Sequence, residues 1–182
     1  WDAETGQEVR TLIGHSDSIY AARFSPDGQK IATASHDKSV GVWAWKTQPE
    51  PTMRSLVGHE QSVSSVVWSP GGRYIASADF KGVIRVWDSG SGEEVQYLQG
   101  HHTWAMTARW SPDGTKLLST SADRTGRIWD AQTGRQLHVL TGHRAEVWGG
   151  DWSPDGLEVV TGSDDGSLII WDSSGTIIRR IS

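Results

Sequence analysis

The sequence predicts an all-β chain built from four repeated units, each folded as a four-stranded antiparallel sheet. A Gly-His pair recurs every 42 to 44 residues, beginning at Gly14, Gly58, Gly100 and Gly142. A Ser-Pro-Asp-Gly or Ser-Pro-Gly-Gly turn follows inside each unit, and a tryptophan closes it. Repeats of this length indicate an array of similar supersecondary units rather than one irregular domain. The closing tryptophans are Trp43, Trp87, Trp129 and Trp171.

The third unit shows how short hydrophobic runs alternate with turn sequences. Its first run, Ala105–Trp110, precedes Ser111-Pro112-Asp113-Gly114, in which proline presets φ and glycine accepts a positive φ. Further runs follow at Lys116–Ser121, Thr125–Trp129 and Gln136–Leu140. Since no window keeps a helical period, each unit is predicted to contain four strands, named a to d in chain order.

The same four runs are found in every unit. Strands a are expected at Ile19–Phe24, Val63–Trp68, Ala105–Trp110 and Val147–Trp152. Strands b are expected at Lys30–Ser35, Tyr74–Asp79, Lys116–Ser121 and Glu158–Ser163, and strands c end at the closing tryptophans. Strands d are expected at Arg54–Val57, Val95–Leu98, Gln136–Leu140 and Ile177–Ile181.

The composition excludes several classes of function. The net charge of -5, with no basic run longer than Arg179-Arg180, argues against a nucleic-acid-binding surface. The absence of cysteine rules out disulfides and thiolate metal sites. No apolar stretch approaches the roughly 20 residues of a membrane helix, and no signal peptide opens the chain. We expect a cytoplasmic protein without cofactor or metal and, because the chain starts at Trp1, a missing upstream segment.

The Gly-His pairs and the dipeptides Trp87-Asp88, Trp129-Asp130 and Trp171-Asp172 resemble the repeats of WD-repeat β-propellers. The resemblance covers essentially the whole chain. It implies a propeller of four-stranded antiparallel blades, and a propeller domain spanning 1–182. The blades are expected at about 14–57, 58–99, 100–141 and 142–182.

A fifth candidate strand d lies at Gln7–Leu12, directly after Trp1-Asp2. In the family that this chain resembles, strand d is the outer strand of the blade whose strand c has just ended. Residues 1–13 are therefore expected to be the outer strand of a preceding blade. Four blades leave two blade faces uncovered. Three arrangements would cover them: a longer parent chain of seven or eight blades, a homodimeric eight-bladed ring or a compact four-bladed ring. The longer parent chain is favoured.

A polar set recurs within the units, with 22 residues from His to Asp and 6 from Asp to Trp. The resemblance implies a structural tetrad in which Asp accepts from His, Ser links onward and the indole N–H donates. Catalytic triads do not recur in every repeat, so a structural role is predicted and no enzyme activity is expected. The sets are His15, Ser35, Asp37 and Trp43; His101, Ser121, Asp123 and Trp129; and His143, Ser163, Asp165 and Trp171.

The second unit departs from this pattern. His59 and Trp87 are in place, but Asp79 stands at the Ser position and Lys81 at the Asp position. Either Asp79 acts as the acceptor instead, or this blade lacks the network. We predict that blade 2 is locally the weakest.

The resemblance also implies partner contacts on the top face of the propeller, beside the start of each strand a and before the tetrad Asp. Large aromatic side chains there are typical of interface hot spots. We expect a non-catalytic scaffold or sensor that binds a protein or peptide with an apolar anchor and some basic character; alternatively, exposed blade faces assemble the chain into a closed homo-oligomeric ring. The candidate contacts are Tyr20, His36, Phe80, Trp104, Met106, Glu146, Trp148 and Asp164.

The segment between Ala44 and Thr52 is expected to be a longer c–d loop than its counterparts. Trp45 in this loop either provides a second contact surface or covers the edge of the blade.

Overall fold

The computed structural model describes residues 1–46 and 51–182, and these residues form strands and turns without a helix. The strands pair as four antiparallel sheets, which confirms the predicted fold class. Blade 1 contains β1 (Ile19–Phe24), β2 (Ile31–Ser35), β3 (Ser39–Ala44) and β4 (Thr52–Val57); blade 2 contains β5 (Val63–Trp68), β6 (Tyr74–Asp79), β7 (Val83–Asp88) and β8 (Glu94–Gln99). Blade 3 contains β9 (Ala105–Trp110), β10 (Lys116–Ser121), β11 (Thr125–Asp130) and β12 (Gln136–Thr141); blade 4 contains β13 (Val147–Trp152), β14 (Glu158–Ser163), β15 (Leu168–Asp172) and β16 (Ile177–Ile181).

Each sheet keeps its strands in chain order, so strand a lies at one edge and strand d at the other. The strands a of successive blades contact one another, β1 with β5, β5 with β9 and β9 with β13. In blades 2, 3 and 4, strand a also packs on strand b of the preceding blade. The four blades are therefore stacked side by side in chain order, with their inner edges together.

The Ser-Pro turns connect strand a to strand b through side-chain hydrogen bonds. In blade 3, the Ser111 hydroxyl donates to Asp113 Oδ1 at 2.6 Å and accepts from the backbone N–H of Lys116 at 2.9 Å. Gly114 has a φ of 72°, a conformation that a side chain would strain. The sequence of this turn therefore fixes where strand a ends and strand b begins.

The same turns also touch one another from blade to blade. A Cβ atom built on Gly72, Gly114 or Gly156 would lie 3.6 Å from Cδ of Pro26, Pro70 or Pro112, respectively. Each proline therefore packs on the glycine of the next blade's turn. This row of contacts runs along what we call the bottom face, opposite the face at which the strands a begin.

The hydrophobic core lies between the blades. We call the face of a blade that packs against the next blade its forward face; strands b, c and d form it. The face that packs against the preceding blade is the backward face, and strand a belongs to it. Between blades 1 and 2, Ala34, Val40 and Leu56 of the forward face pack with Val66 and Trp68 of the backward face. Burying one such aliphatic side chain stabilises a fold by about 1.5–3 kcal/mol.

The two outermost faces are left open. On the backward face of blade 1, Phe24 is 62% exposed, whereas its counterpart Trp68 is buried. On the forward face of blade 4, Leu168 is 47% exposed, whereas its counterpart Val40 is fully buried. The chain is therefore an open array of blades, and the compact four-bladed ring considered above is not its arrangement.

Residues 2–7 form the same turn that joins strands c and d elsewhere. Asp2 N–H donates to Gln7 O and Gly6 N–H to Asp2 O, as Asp88 and Gly92 do in blade 2. The segment Gln7–Leu12 pairs with no strand among the described residues, and its place as the outer strand of a preceding blade stays a prediction. A strand needs a hydrogen-bonded neighbour, and the described residues provide no strand c beside this segment.

Trp45 covers the edge of blade 1. Its ring packs edge-on against Phe24, with the ring centroids 5.7 Å apart, and its Nε1–H donates to Gly28 O at 3.2 Å. Arg10 donates to the Trp45 carbonyl at 2.9 Å, which holds the N-terminal segment against this loop. Residues 47–50 of the predicted longer loop lie outside the described residues.

Candidate functional site

A continuous hydrogen-bond chain runs through the middle of each blade. In blade 1, the Trp43 indole N–H donates to Thr33 Oγ1 at 2.9 Å, and Thr33 Oγ1 lies 2.6 Å from His15 Nε2. His15 Nδ1 lies 2.8 Å from Asp37 Oδ2. With the histidine proton on Nδ1, each group donates to the next and the chain ends on the carboxylate.

The hydroxyl that links His to Trp is not the predicted serine. Ser35 lies two residues further along β2, where its hydroxyl donates to Ser18 O and accepts from the backbone N–H of Asp37. Ser121 and Ser163 likewise donate to a carbonyl of the loop before strand a, those of Thr103 and Ala145, and accept from the backbone N–H two residues further on. The predicted role was wrong for all three, because Trp and His reach the hydroxyl at mid-strand and not the one at the strand end. The linking residues are Thr33, Ser77, Ser119 and Thr161.

Blade 2 keeps the hydrogen-bond chain from Trp to Asp despite its altered sequence. Asp79 Oδ2 lies 2.8 Å from His59 Nδ1, and Ser77 Oγ joins His59 to Trp87. Of the two alternatives, the structure therefore has Asp79 as the acceptor. Burial raises the pKa of Asp79, but the hydrogen bonds from His59 and from Val83 N–H outweigh it and leave that pKa lowered. Lys81 forms an ion pair with Glu60 at the surface instead.

The linking hydroxyl of a hydrogen-bond chain is not accessible to a substrate. Ser119 is fully buried, and its hydroxyl is occupied by His101 Nε2 and by the Trp129 indole. Burial lowers the pKa of His101, against the opposing effect of Asp123. A nucleophile needs a hydroxyl that a substrate can approach, so the arrangement acts as a structural brace.

Three aromatic side chains from three blades meet at the top face. Phe80, at the end of β6, stacks on Trp104 with centroids 4.9 Å apart and planes 24° apart. The ring centroid of Tyr20, on β1, lies 5.7 Å from that of Phe80, on the side of blade 1. We call Tyr20, Phe80 and Trp104 the aromatic cluster. The sequence placed these residues at separate contact positions, and the structure brings them together.

His36 holds the Tyr20 end of the cluster. The Tyr20 hydroxyl lies 3.0 Å from His36 Nδ1, and Ser62 Oγ lies 2.9 Å from the same nitrogen. With the ring proton on Nε2, which lies 3.9 Å from Asp17 Oδ2, Nδ1 accepts from the Tyr20 or the Ser62 hydroxyl. Sequence reasoning missed Asp17 as a neighbour of this site, because the contact depends on how two loops meet.

The remaining predicted contact residues differ in how far they are exposed to solvent. Trp148 is half exposed on β13, and the exposed Asp164 donates its backbone N–H to the carbonyl of the partly buried Glu146 at 3.0 Å. Met106 is only 9% exposed, so its prediction as a partner contact was wrong. Its strand, β9, lies between β5 and β13, and these neighbours cover it.

A second concave surface lies between blades 2 and 3 at the bottom face. It encloses about 390 Å³ and is lined by Tyr74, Val86, Val95, Gln96 and Trp110, among others. Tyr74 stacks on Trp110 with centroids 6.4 Å apart, whereas blade 1 has Lys30 at the position of Tyr74. This groove was not predicted from the sequence.

The described residues provide neither a metal-binding cluster nor a membrane-spanning helix. Residues 1–46 and 51–182 contain no group of three or more His, Asp or Glu side chains placed to hold a metal ion. Within the same residues, no helix is long and apolar enough to cross a membrane.

Comparison with known proteins adds a family and a set of partial relatives. The family model described as "WD domain, G-beta repeat" matches residues 6–44, 50–88, 92–130 and 134–172. Human Coronin-7 is 41% identical over 51 residues, which is 28% of this chain and 6% of that protein. The Intraflagellar transport protein 122 homolog of Xenopus tropicalis is 35% identical over 48 residues, 26% of this chain and 4% of that protein. The matched part thus spans a small fraction of these relatives.

Proposed function

The chain belongs to the WD40 repeat family, and on that premise we propose that it is a non-catalytic scaffold or sensor segment that binds a partner peptide or domain at its top face. WD40 repeats generally mediate protein–protein interactions. The aromatic cluster is the proposed centre of the contact, and His36, Glu146, Trp148 and Asp164 are proposed as further contact residues.

The observation that carries this proposal is the stacked pair of Phe80 and Trp104. Both residues belong to inner blades, so the open ends of the array do not explain why Trp104 is 48% exposed. A half-exposed tryptophan held flat by a second ring offers a rigid apolar surface. Such surfaces bind with a low entropic cost and are enriched at interface hot spots.

The charges around the cluster favour a partner with basic character. Asp17 lies beside His36, and Glu146 and Asp164 lie near Trp148 at the start of blade 4. The chain as a whole carries a net charge of -5. A segment with one apolar anchor flanked by Arg or Lys would place the anchor on Trp104 and its charges near these carboxylates.

Binding to peptides tests this proposal directly. A library that displays one aliphatic or aromatic anchor flanked by Arg or Lys should contain ligands for the wild-type chain. Trp104→Ala should weaken the selected interaction by at least about tenfold, because a truncated hot-spot residue loses more than 1.4 kcal/mol. Trp148→Ala should weaken it as well, and neither change should lower the melting temperature much.

The matched control is Tyr97→Ala, which removes an exposed ring from the outer strand β8. It should leave peptide binding unchanged. If Trp104→Ala binds like the wild type, or if it destabilises the fold as strongly as loss of a core residue, the aromatic cluster is packing and the proposal fails.

A second candidate function is architectural: the open blade faces would assemble copies of the chain into a closed ring. The observation that favours it is the exposure of Phe24 and Leu168, whose counterparts are buried between blades elsewhere. Light scattering tests it, since ring formation requires an oligomer in solution.

The cellular setting is also a proposal. We propose a cytoplasmic protein with a role in signalling, with neither nucleic acid nor membrane as its partner. The acidic balance and the absence of basic runs support this. Fractionation of cells that express the tagged chain would contradict it if the chain were recovered with membranes or with nucleic acid.

A further inference from the structure

We propose that the groove between blades 2 and 3 at the bottom face binds a lysine or arginine side chain of a partner peptide. The aliphatic stem of that side chain would lie on Val86 and Val95, and its charge would lie beside Asp130. Blades 2 and 3 each have a neighbouring blade on both sides, so this groove is separate from the open faces of the array. It is also independent of the top-face contact proposed above.

The groove has an apolar floor and a polar rim, which suits a long side chain with a charged end. Val86 is buried, whereas Val95 is 43% exposed on the outer strand β8. Asp130, Ala131 and Gln132, at the end of β11 and in the turn after it, form the opposite wall. The volume of about 390 Å³ lies within the range of ligand sites. Lysine and arginine bury their stems on apolar surface while the charged end stays near water.

The other two grooves between blades carry basic residues at two positions where blade 2 has none. One position is the start of strand b, and the other is the residue of strand d that pairs with the middle of strand c. The basic residues are Lys30 and Arg54 in blade 1 and Lys116 and His138 in blade 3, and their counterparts in blade 2 are Tyr74 and Gln96. The groove between blades 2 and 3 therefore lacks the positive charge of its counterparts.

Asp130 at the rim has one carboxylate oxygen without a partner. Its Oδ1 accepts from backbone N–H groups of its own turn, whereas its Oδ2 makes no hydrogen bond or ion pair within residues 1–46 and 51–182. The corresponding oxygen of Asp88 lies 3.5 Å from Arg73 Nε. Thr115 stands at the position of Arg73 in blade 3, since the carbonyl of each accepts from the backbone N–H that follows the aspartate. A cation from a partner would therefore complement this carboxylate.

The groove also contains a buried hydrogen-bond donor without an acceptor. Trp68 and Trp152 each donate the indole N–H to a carbonyl of the preceding blade, at 3.1 and 3.3 Å. Trp110, at the same position of β9, is only 8% exposed, and its N–H has no acceptor among the residues that the structure describes. An unpaired buried donor is costly, so an acceptor supplied by a ligand is favoured. A main-chain carbonyl of the bound peptide provides it once the indole turns toward the groove.

We attribute both features of the groove to Tyr74. Its ring stacks on Trp110 with the planes 18° apart. In the next groove, Lys116 Nζ lies 5.9 Å from the ring centroid of Trp152, which keeps its hydrogen bond to the preceding blade. A tyrosine at this position thus removes a positive charge and accompanies the loss of an indole hydrogen bond.

Nuclear magnetic resonance of the chain with isotope-labelled tryptophan tests the inference, and Trp110→Phe identifies the indole signal of Trp110. The probe is the capped peptide Ala-Ala-Lys-Ala-Ala at up to about 5 mM, which exceeds a dissociation constant of about 1 mM. We expect the Trp110 signal to shift as the peptide binds. The matched peptide with norleucine in place of lysine keeps the stem without the charge, so it should bind about tenfold more weakly.

Variants of the chain test the role of the carboxylate. Asp130→Asn should weaken binding of the lysine peptide by about tenfold and leave binding of the norleucine peptide unchanged, because asparagine keeps the acceptor for the turn and loses the charge. The matched control is Asp172→Asn, which makes the same change in the corresponding turn of blade 4 and should not affect binding. Tyr74→Lys should abolish binding, because its ammonium group competes for Asp130. Melting temperatures establish that the variants fold.

The inference is overturned if the lysine peptide leaves the Trp110 signal unchanged, or if the lysine and norleucine peptides bind the wild-type chain equally well. It is also overturned if Asp172→Asn weakens binding as much as Asp130→Asn, because the groove would then not be where the charge acts. Trp104→Ala should leave this binding unchanged, so failure of the top-face contact and failure of the groove give different results.

Discussion

At the scale of single residues, one hydroxyl holds the polar interior of each blade together. Thr33 Oγ1 accepts from the Trp43 indole N–H and lies 2.6 Å from His15 Nε2, and the Thr33 side chain is buried. A buried donor that loses its acceptor keeps its full desolvation cost. The linking hydroxyl is therefore the position at which a single atom affects two buried groups.

Thr33→Val removes this hydroxyl while keeping the shape of the side chain. We expect the free energy of unfolding to fall by about 2 kcal/mol, since the indole N–H and the imidazole nitrogen both lose a partner. Denaturant titration measures the change, and Thr115→Val, which removes an exposed hydroxyl from a turn, is the control. Equal stability of Thr33→Val and wild type would mean that the hydrogen-bond chain adds nothing to the fold.

The sequence led to the wrong hydroxyl for a definable reason. Ser35 and Thr33 lie two residues apart on β2, so they face the same side of the strand. The serine at the strand end is identical in three units, whereas the linking position is threonine in two units and serine in the other two. The usable signal was spacing: the linking residue lies 18 residues after His and 10 before Trp in all four units, including the unit with Lys81.

At the scale of strands, position in the array decides how well each strand is protected. β6, β7, β10 and β11 have neighbouring blades on both sides and are largely buried. All residues of β16 are exposed, and nearly all residues of β1 are. Strands with few buried contacts open locally at a lower free energy than the core.

Hydrogen exchange should therefore be fastest in β1 and β16 and slowest in β6, β7, β10 and β11. The lower local stability predicted for blade 2 rested on a missing network, and Asp79 completes that network. We expect blade 2 to be as protected as blade 3. Exchange of β6 and β7 ahead of β1 would show instead that the substitution at Lys81 dominates over position.

The strands were largely predictable because the turns between them have a distinctive chemistry. Ser111, Asp113 and Gly114 fix the boundary of β9 and β10 through local hydrogen bonds and a positive φ, and the predicted bounds of both strands are those observed. Gln7–Leu12 has the composition of a strand but no partner. Pairing depends on residues distant in sequence, so a local pattern cannot establish it.

The top-face site was predictable in position but not in connectivity. Aromatic residues at the predicted positions identified Tyr20, Phe80 and Trp104, yet their stacking depends on the angle between blades. The burial of Met106 has the same origin, since an identical strand position is covered in blade 3 and open in blade 1.

At the scale of the whole molecule, the repeated His–Asp pairs should make the fold sensitive to acid. Hydrogen bonds from Ser39 and His15 lower the pKa of Asp37 despite its desolvation, and those from His101 and Thr125 do so for Asp123. A carboxyl with a lowered pKa contributes stability above its unfolded pKa near 4 and loses it as pH falls. Burial also lowers the pKa of His101. Stability is therefore lost as the pH falls below about 6.5, because the unfolded state binds the proton more readily.

The free energy of unfolding should accordingly decrease steadily as the pH is lowered from 7 to 3, most steeply below about pH 5. Denaturant titrations at a series of pH values measure it. In Asp123→Asn the decline should be shallower, since one of the linked groups no longer titrates. A stability that rises on acidification between pH 7 and 4 would contradict this assignment.

The boundaries of the family repeats are shifted by one strand from the boundaries of the sheets, and this shift determines how blades can be gained or lost. The match at 92–130 begins with β8, the outer strand of blade 2, and ends with β11 of blade 3. The matched units 50–88, 92–130 and 134–172 therefore each carry the covalent connection between two neighbouring sheets. Duplication or loss of one unit would leave every interior sheet with four strands, because the outer strand lost from one blade is supplied by the next unit. The length of the chain can then change in whole blades while each junction is kept by the peptide backbone itself.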